Sequence, residues 1–238
     1  MDFQIDYCGH LLQADRMGLS NTRALLLLHG AGNATRERFL PLRERLAEFA
    51  ITSTALDFLG HGETGGQISH SSLASRTDQA LALVDSQDHK SPLSILGSSM
   101  GAYNAIKITQ QISVNLLVLF VPGVYTPEAY RVPFGKEFSR IIRRDCSWSD
   151  SDAWEILSRY RGSLLVIESE NDTVIPKAIP ERLLSSATRA QRREHLIVPG
   201  APHQLTKYLS ESSEYFDIVV RKILDMYGAD NNVQPGLK

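Results

Sequence analysis

The chain has 238 residues, 42% of them apolar and 22% charged, with a formal net charge of −2. That length carries one sizeable α/β domain with a full core, and the composition is ordinary for a soluble globular protein. The near-neutral balance argues against a nucleic-acid surface or an anionic membrane as partner, and two cysteines, Cys8 and Cys146, make no disulfide framework.

Taken in chain order, the start reads as two edge strands, FQIDYCGHLLQADRM, turned at Cys8-Gly9-His10 and added antiparallel to a sheet. Asp2 and Asp6 stand where a signal peptide would be basic, and no apolar run reaches membrane-spanning length, so a cytoplasmic location is expected. The two thiols then read as buried or inert groups of a reducing compartment. Apolar runs follow at 24–30, 51–57, 92–98, 115–123, 163–169 and 193–200. Such near-continuous runs imply strands buried on both faces, as in a parallel sheet. Between them lie helix candidates at 41–50, 72–86, 100–112, 178–187 and 204–227, the last with a break near Ser212-Ser213. In the second of these, Leu73, Thr77, Ala80, Leu81 and Val84 share one face. The alternation predicts a mostly parallel central sheet of about eight strands with helices on both faces.

One interval breaks the rhythm. From Tyr125 to Arg161 there is no strand, only two short helices near 127–143 and 150–160, too long for an ordinary connection. An insertion at 125–161 would form a small helical lid over any site at the strand ends. Residues 1–228 then form a single domain, and the small, polar residues 229–238 form a flexible tail.

The candidate chemistry lies in "SILGSSMGAY", residues 94–103. Gly97 and Gly101 each lie two residues from Ser99, the G-x-S-x-G spacing of a sharp strand-to-helix turn with a nucleophile at its apex. The competing reading is a Gly/Ser loop in which Ser98 or Ser99 caps a helix. A serine needs a base, and among seven histidines His203 stands out, in "VPGAPHQL" after the last predicted strand. His10, His70, His89 and His195 read as surface or structural; His29 ends a buried strand, and His61 lies in a Gly-rich loop. The base needs an acid, and Asp172 in "SLLVIESENDTVIP" is favoured, with Glu168 and Glu170 as rivals. The order Ser99, Asp172, His203 differs from those of the two unrelated serine-protease folds. Oxyanion donors would be the backbone N–H of Met100, at a helix N-terminus, and that of Ala31, with Gly32 behind it, in "LLLLHGAGNAT".

These segments together resemble the α/β-hydrolase fold superfamily, in its serine-nucleophile branch. HGAG at 29–32 is similar to the family's oxyanion loop, and DFLGHGET at 57–64 to its Asp-x-x-Gly-x-Gly-x-Ser loop, with Thr64 in the serine's place. GSSMG resembles its elbow; ESENDTVIP resembles its acid segment, with Ser169 for the usual glycine; PGAPHQL resembles its base segment. The likeness runs from about residue 24 to 225 and implies that Asp57 and His61 are structural. A serine at the elbow sets aside the branches that open epoxides or remove halogens, which use aspartate there.

The implied function is hydrolysis of a small or medium acyl ester or thioester, with no cofactor and no metal. Alternatives are a peptidase of the serine aminopeptidase type, or a non-catalytic protein that binds a small ligand on the same fold. Tyr125, Tyr130, Phe134, Phe138, Trp148, Trp154 and Tyr160 offer aromatic surface for an acyl pocket in the insertion. Arg131, Lys136, Arg140, Arg143 and Arg144 either favour an anionic substrate or form a solvated helix face, the simpler reading.

Overall fold

The computed structural model describes residues 1–19, 23–87 and 93–228. Its strands are β1 (Asp2–Tyr7), β2 (His10–Met17), β3 (Ala24–Leu28), β4 (Thr52–Leu56), β5 (Leu93–Ser98), β6 (Val114–Phe120), β7 (Ser163–Ser169) and β8 (Arg192–Val198). They form one eight-stranded sheet in the order β1-β2-β4-β3-β5-β6-β7-β8. From β4 to β8 every pairing is parallel; the N-terminal hairpin joins antiparallel through β2 and β4. The hairpin turns as expected, with Cys8 and Gly9 both at positive φ, 52° and 81°. Two such residues make the turn whose twist suits a two-residue hairpin.

The helices are α1 (Leu40–Ala47), α2 (Leu73–Asp85), α3 (Met100–Ile108), α4 (Lys136–Ile142), α5 (Ala153–Arg159), α6 (Ala178–Ser186), α7 (Leu205–Glu211) and α8 (Ser213–Met226). Alternation along the strands divides the core in two. Leu26, Leu28, Ile95, Leu117, Leu119 and Val166 face α2, α3, α5 and α6. Leu25, Leu27, Leu96, Val118, Leu165 and Ile167 face α1, α7 and α8. Each such side chain stabilises the fold by about 1.5–3 kcal/mol on burial. Both faces of β3 to β7 are therefore covered, and the apolar runs have their explanation. Because β3, β5, β6, β7 and β8 run parallel, their C-terminal ends gather five loops along one edge of the sheet.

Several expectations need correction. Strand β8 is not buried on both faces: its burial alternates, and Ile197 is 48% exposed, because it is the last strand of the sheet. The helix expected over 127–143 is a single 3-10 turn, Pro127–Ala129, followed by α4. Pro133, without an N–H to donate, separates them. Both cysteines are exposed rather than buried: Cys8 is on the hairpin tip and Cys146 is in the turn between α4 and α5. The break near Ser212 is present, with α7 ending and α8 beginning there. His89 and the tail at 229–238 lie outside the described residues. Among the described residues, no helix is long and apolar enough to cross a membrane.

Candidate active site

Strand β5 delivers the chain to Ser99, and α3 starts at Met100, so the turn has a single residue to reverse direction. Ser99 sits at φ 53° and ψ −116°, a left-handed conformation that L-residues adopt only when the surroundings force it. The surroundings are steric. A Cβ on Gly97 would run into Gly101 O and Ala102, and one on Gly101 into the carbonyls of Leu28 and His29. Backbone bonds then lock the turn: Ser99 N–H donates to Phe120 O at 2.9 Å, and Gly123 N–H to Ser99 O at 3.1 Å. The capping alternative fails here. The Ser99 side chain makes no cap hydrogen bond to α3.

Instead Ser99 Oγ lies 3.0 Å from His203 Nε2, and His203 Nδ1 lies 2.8 Å from Asp172 Oδ2. The serine is on the β5 elbow, the histidine on the loop after β8, and the aspartate on the loop after β7. Asp172 also accepts N–H bonds from Val174 (2.7 Å) and Ile175 (2.9 Å) through Oδ1. Burial would raise its pKa, but the His203 bond and these two amides outweigh it and hold the carboxyl below its ordinary value. A carboxylate so held fixes Nδ1 as the protonated nitrogen, which leaves Nε2 free to take the proton of Oγ. The rivals are engaged elsewhere. Glu168 is 3.0 Å from His195 Nε2, and Glu170 accepts from Gly200 N–H at 2.8 Å.

The loop after β3 comes close from the other side. A Cβ on Gly30 would stand 3.1 Å from Ser99 Cβ and 3.3 Å from Ser98 O, a crowding that glycine avoids. Ala31 follows and is exposed, and Met100 occupies the first turn of α3, where the N–H has no partner within the helix. The underside of this loop is anchored. Phe58 N–H donates to His29 Nε2 at 3.2 Å, so Nδ1 carries the proton and donates to Gly30 O at 2.8 Å.

A residue that the sequence reading passed over lies beneath. Arg76 of α2 is wholly buried, its guanidinium 3.9 Å above the ring of Phe58. Its Nη2 donates to His29 O at 2.7 Å and to Gly30 O at 3.0 Å, while Nη1 meets Met100 Sδ at 3.0 Å. The 3.4 Å approach of Nη2 to His29 Nδ1 sets donor against donor and is not a bond. Among the described residues no carboxylate pairs with Arg76, and burial pulls its guanidinium down to about 9, still charged at neutral pH. The signal was available: Arg76 lies three residues after Leu73 and four before Ala80, within an apolar helical face.

The loop at 57–64 is scaffold, as the resemblance implies. Asp57 accepts from Arg36 N–H at 2.7 Å and pairs with its guanidinium, and Thr64 Oγ1 donates to Asp57 O at 2.6 Å. The 125–161 segment covers the same end of the molecule. Most of its aromatic surface packs inward rather than lining a pocket. Phe134 and Phe138 meet edge-on, Tyr125 tilts onto Phe138, and Tyr103 of α3 meets Tyr125 and Tyr130 edge-on. Tyr125 and Trp148 do line a cleft of about 380 Å³ with Gly123, Ile175 and Arg143. Ser99 and His203 are not among its lining residues, and the link to the elbow is Gly123, whose N–H donates to Ser99 O at 3.1 Å. Arg140 and Arg144 pair with Glu137 and Glu128 on the exposed face, which fits the solvated reading of the basic residues.

Comparison with known proteins agrees with this architecture. The family model Hydrolase_4, described as serine aminopeptidase, S33, matches residues 20–150, more than half of the chain. An uncharacterized protein of Mycobacterium tuberculosis is 26% identical over 175 residues, a stretch that covers 72% of this chain but 60% of that relative's length. Solved structures with the same fold include a predicted CIB-like hydrolase from Thermoplasma acidophilum (TM-score 0.69, 19% identity, 94% of this chain and 98% of that one). A monoacylglycerol lipase from Paleococcus ferrophilus superposes with a TM-score of 0.71 at 17% identity, over 90% of this chain and 99% of its own. The eight-stranded, mostly parallel sheet with helices on both faces is the α/β-hydrolase fold.

Proposed function

The chain belongs to the Hydrolase_4 family, and on that premise we propose that it is a serine hydrolase cleaving a small or medium acyl ester or thioester through an acyl-enzyme. The observation that carries the reading is the hydrogen-bonded line from Ser99 Oγ through His203 to Asp172, with the serine held at a strained apex.

The reaction follows from that line. Ser99 Oγ adds to the acyl carbon while its proton passes to His203 Nε2, and the carbonyl π pair moves onto oxygen. The N–H groups of Met100 and Ala31 stabilise that oxyanion, and the Asp172 carboxylate stabilises the imidazolium. Collapse expels the alcohol or thiol, which takes the proton from His203. Water then gives a proton to the same nitrogen as its oxygen bonds to the acyl carbon; collapse breaks the Oγ–acyl bond, Ser99 Oγ takes the proton back from His203, and the acid leaves. No step calls for a cofactor or a metal.

Residues 1–228 act as one domain in this account, with 125–161 as its lid. The cleft at Gly123, Tyr125, Trp148 and Ile175 holds the acyl group of a small-molecule substrate, with its apolar side chains as walls. The monoacylglycerol lipase and a thioesterase domain (TM-score 0.71, 14% identity) share the fold and support an ester or thioester as the bond cleaved. A peptidase of the aminopeptidase type would need an acid facing the substrate's ammonium. Glu168, the acid at the end of β7, is taken by His195 rather than facing the cleft, which favours the acyl ester.

A panel of p-nitrophenyl esters of increasing chain length, acyl thioesters and aminoacyl p-nitroanilides tests the reading. It predicts turnover of esters or thioesters that vanishes in Ser99→Ala. Turnover confined to the anilides would favour the peptidase. No turnover of any of them by folded protein would favour a ligand-binding role.

A further inference from the structure

We propose that Arg76 is a positioning residue for the oxyanion hole, orienting and polarising the Gly30–Ala31 peptide while holding the side chain of Met100. The inference rests on the serine-hydrolase reading above.

The geometry is that of one peptide unit. Gly30 O and Ala31 N–H belong to the same amide, and the described chain has no cis peptide, so the two groups point in opposite directions. Gly30 O accepts from Arg76 Nη2 at 3.0 Å and from His29 Nδ1 at 2.8 Å. With the oxygen held from the interior by two donors, Ala31 N–H points away from them, and Gly30 stands so near the elbow that a Cβ on it would lie 3.1 Å from Ser99 Cβ. A carbonyl that accepts bonds makes the N–H of its own amide a stronger donor, since hydrogen bonds in series polarise one another.

The same guanidinium reaches the second arm. Nη1 contacts Met100 Sδ at 3.0 Å, and Met100 supplies the other proposed donor. One side chain therefore ties together the two segments that must converge on the oxyanion, one from β3 and one from the elbow. Arg76 is also wholly buried, and the bonds its guanidinium makes run to two carbonyls and a thioether rather than to a carboxylate. A methionine or leucine could fill the space without the desolvation penalty. What they would lose is the pair of bonds to His29 O and Gly30 O together with a charge that attracts negative charge forming nearby in a water-poor interior. Arg76 exchanges no proton in the reaction.

The test compares wild type with Arg76→Met, which keeps bulk and loses charge and donors, and Arg76→Lys, which keeps charge and loses the fork. Three readouts are taken: steady-state ester hydrolysis, affinity for phenylboronic acid (a tetrahedral mimic on serine) and affinity for the product acid. For Arg76→Met the expected result is a fall in kcat of about 30- to 100-fold, with KM changed less than about threefold. Boronate affinity falls in parallel while product affinity holds, a split that a merely structural peg would not give. Arg76→Lys recovers part of the loss and stays about 5- to 10-fold below wild type. A folded Arg76→Met with kcat within about threefold of wild type and unchanged boronate affinity overturns the inference and leaves the hydrolase reading standing. If Arg76→Met does not fold, Arg76→Lys decides, and wild-type kinetics with wild-type boronate affinity overturn it. Wild type that neither hydrolyses esters nor reacts with an alkyl fluorophosphonate overturns both readings together.

Discussion

At the residue scale, the carboxylate behind His203 is the most exposed part of the account, because three acids compete for the role within five residues of chain. The distances choose Asp172, whose Oδ2 meets Nδ1 at 2.8 Å while its other oxygen is filled by two backbone amides. Asp172→Asn preserves shape but removes the charge and offers the imidazole the wrong partner. Turnover should fall by about 10³- to 10⁴-fold with little change in fold, whereas Glu168→Gln should leave it near wild type. The reverse pattern in ester hydrolysis would reassign the acid. Ser99, Asp172 and His203 were readable because each sits in a loop with its own punctuation of glycines or prolines. Ser98 and Ser99 are adjacent, yet the two-residue spacing to Gly97 and Gly101 singles out the second, and the clashes a Cβ would meet at those glycines give the reason. Arg76 was not read because a helix pattern scores an arginine as polar and assigns it to solvent. Only the structure reveals that its partners are carbonyls from a distant loop.

At the scale of elements, strands β3 to β7 were legible as apolar runs because both faces of each are covered. Strand β8 misled for the same reason. Its run of Leu196, Ile197 and Val198 suggests full burial, but position in the sheet order decides exposure, and a single run carries no information on order. The hairpin was visible in Cys8-Gly9-His10, of which the structure keeps Cys8 and Gly9 as the turn and gives His10 to β2, and so was the division of the C-terminal helix near Ser212-Ser213. In the 125–161 segment the aromatic residues were recognised but their destination was not. Sequence offers no means to tell a ring that lines a cleft from one that seals the segment onto the body. Here Tyr103 contributes from α3, donating its hydroxyl to Asp152 at 2.7 Å, and Lys107 reaches the other oxygen of that carboxylate at 2.7 Å. These bonds fasten α5 to α3, the helix that follows Ser99.

At the scale of the whole molecule, the buried histidines in and beside the loop after β3 link stability to pH. Burial, followed by the charge of Arg76, pulls His29 well below the ordinary 6.5 and His61 down to about 4. Both are therefore neutral in the folded protein, while the unfolded chain takes up protons on these residues below about pH 6.5. The unfolded state then binds more protons, so stability falls as pH drops from about 6.5 toward about 4, by up to about 1.4 kcal/mol per unit for each histidine. Urea midpoints at pH 7.5 and 5.0 should differ accordingly, and His61→Asn should roughly halve the dependence. Equal midpoints would show that these rings titrate alike in both states. The function itself is a property of the assembled edge of the sheet, where loops from β3, β5, β7 and β8 meet. The most direct test treats the protein with an alkyl fluorophosphonate and reads the intact mass and the modified peptide. The account predicts a single adduct on Ser99, absent in Ser99→Ala and retained in Ser98→Ala. Folded wild type that takes up no adduct, or an adduct that survives Ser99→Ala and is lost in Ser98→Ala, would contradict it.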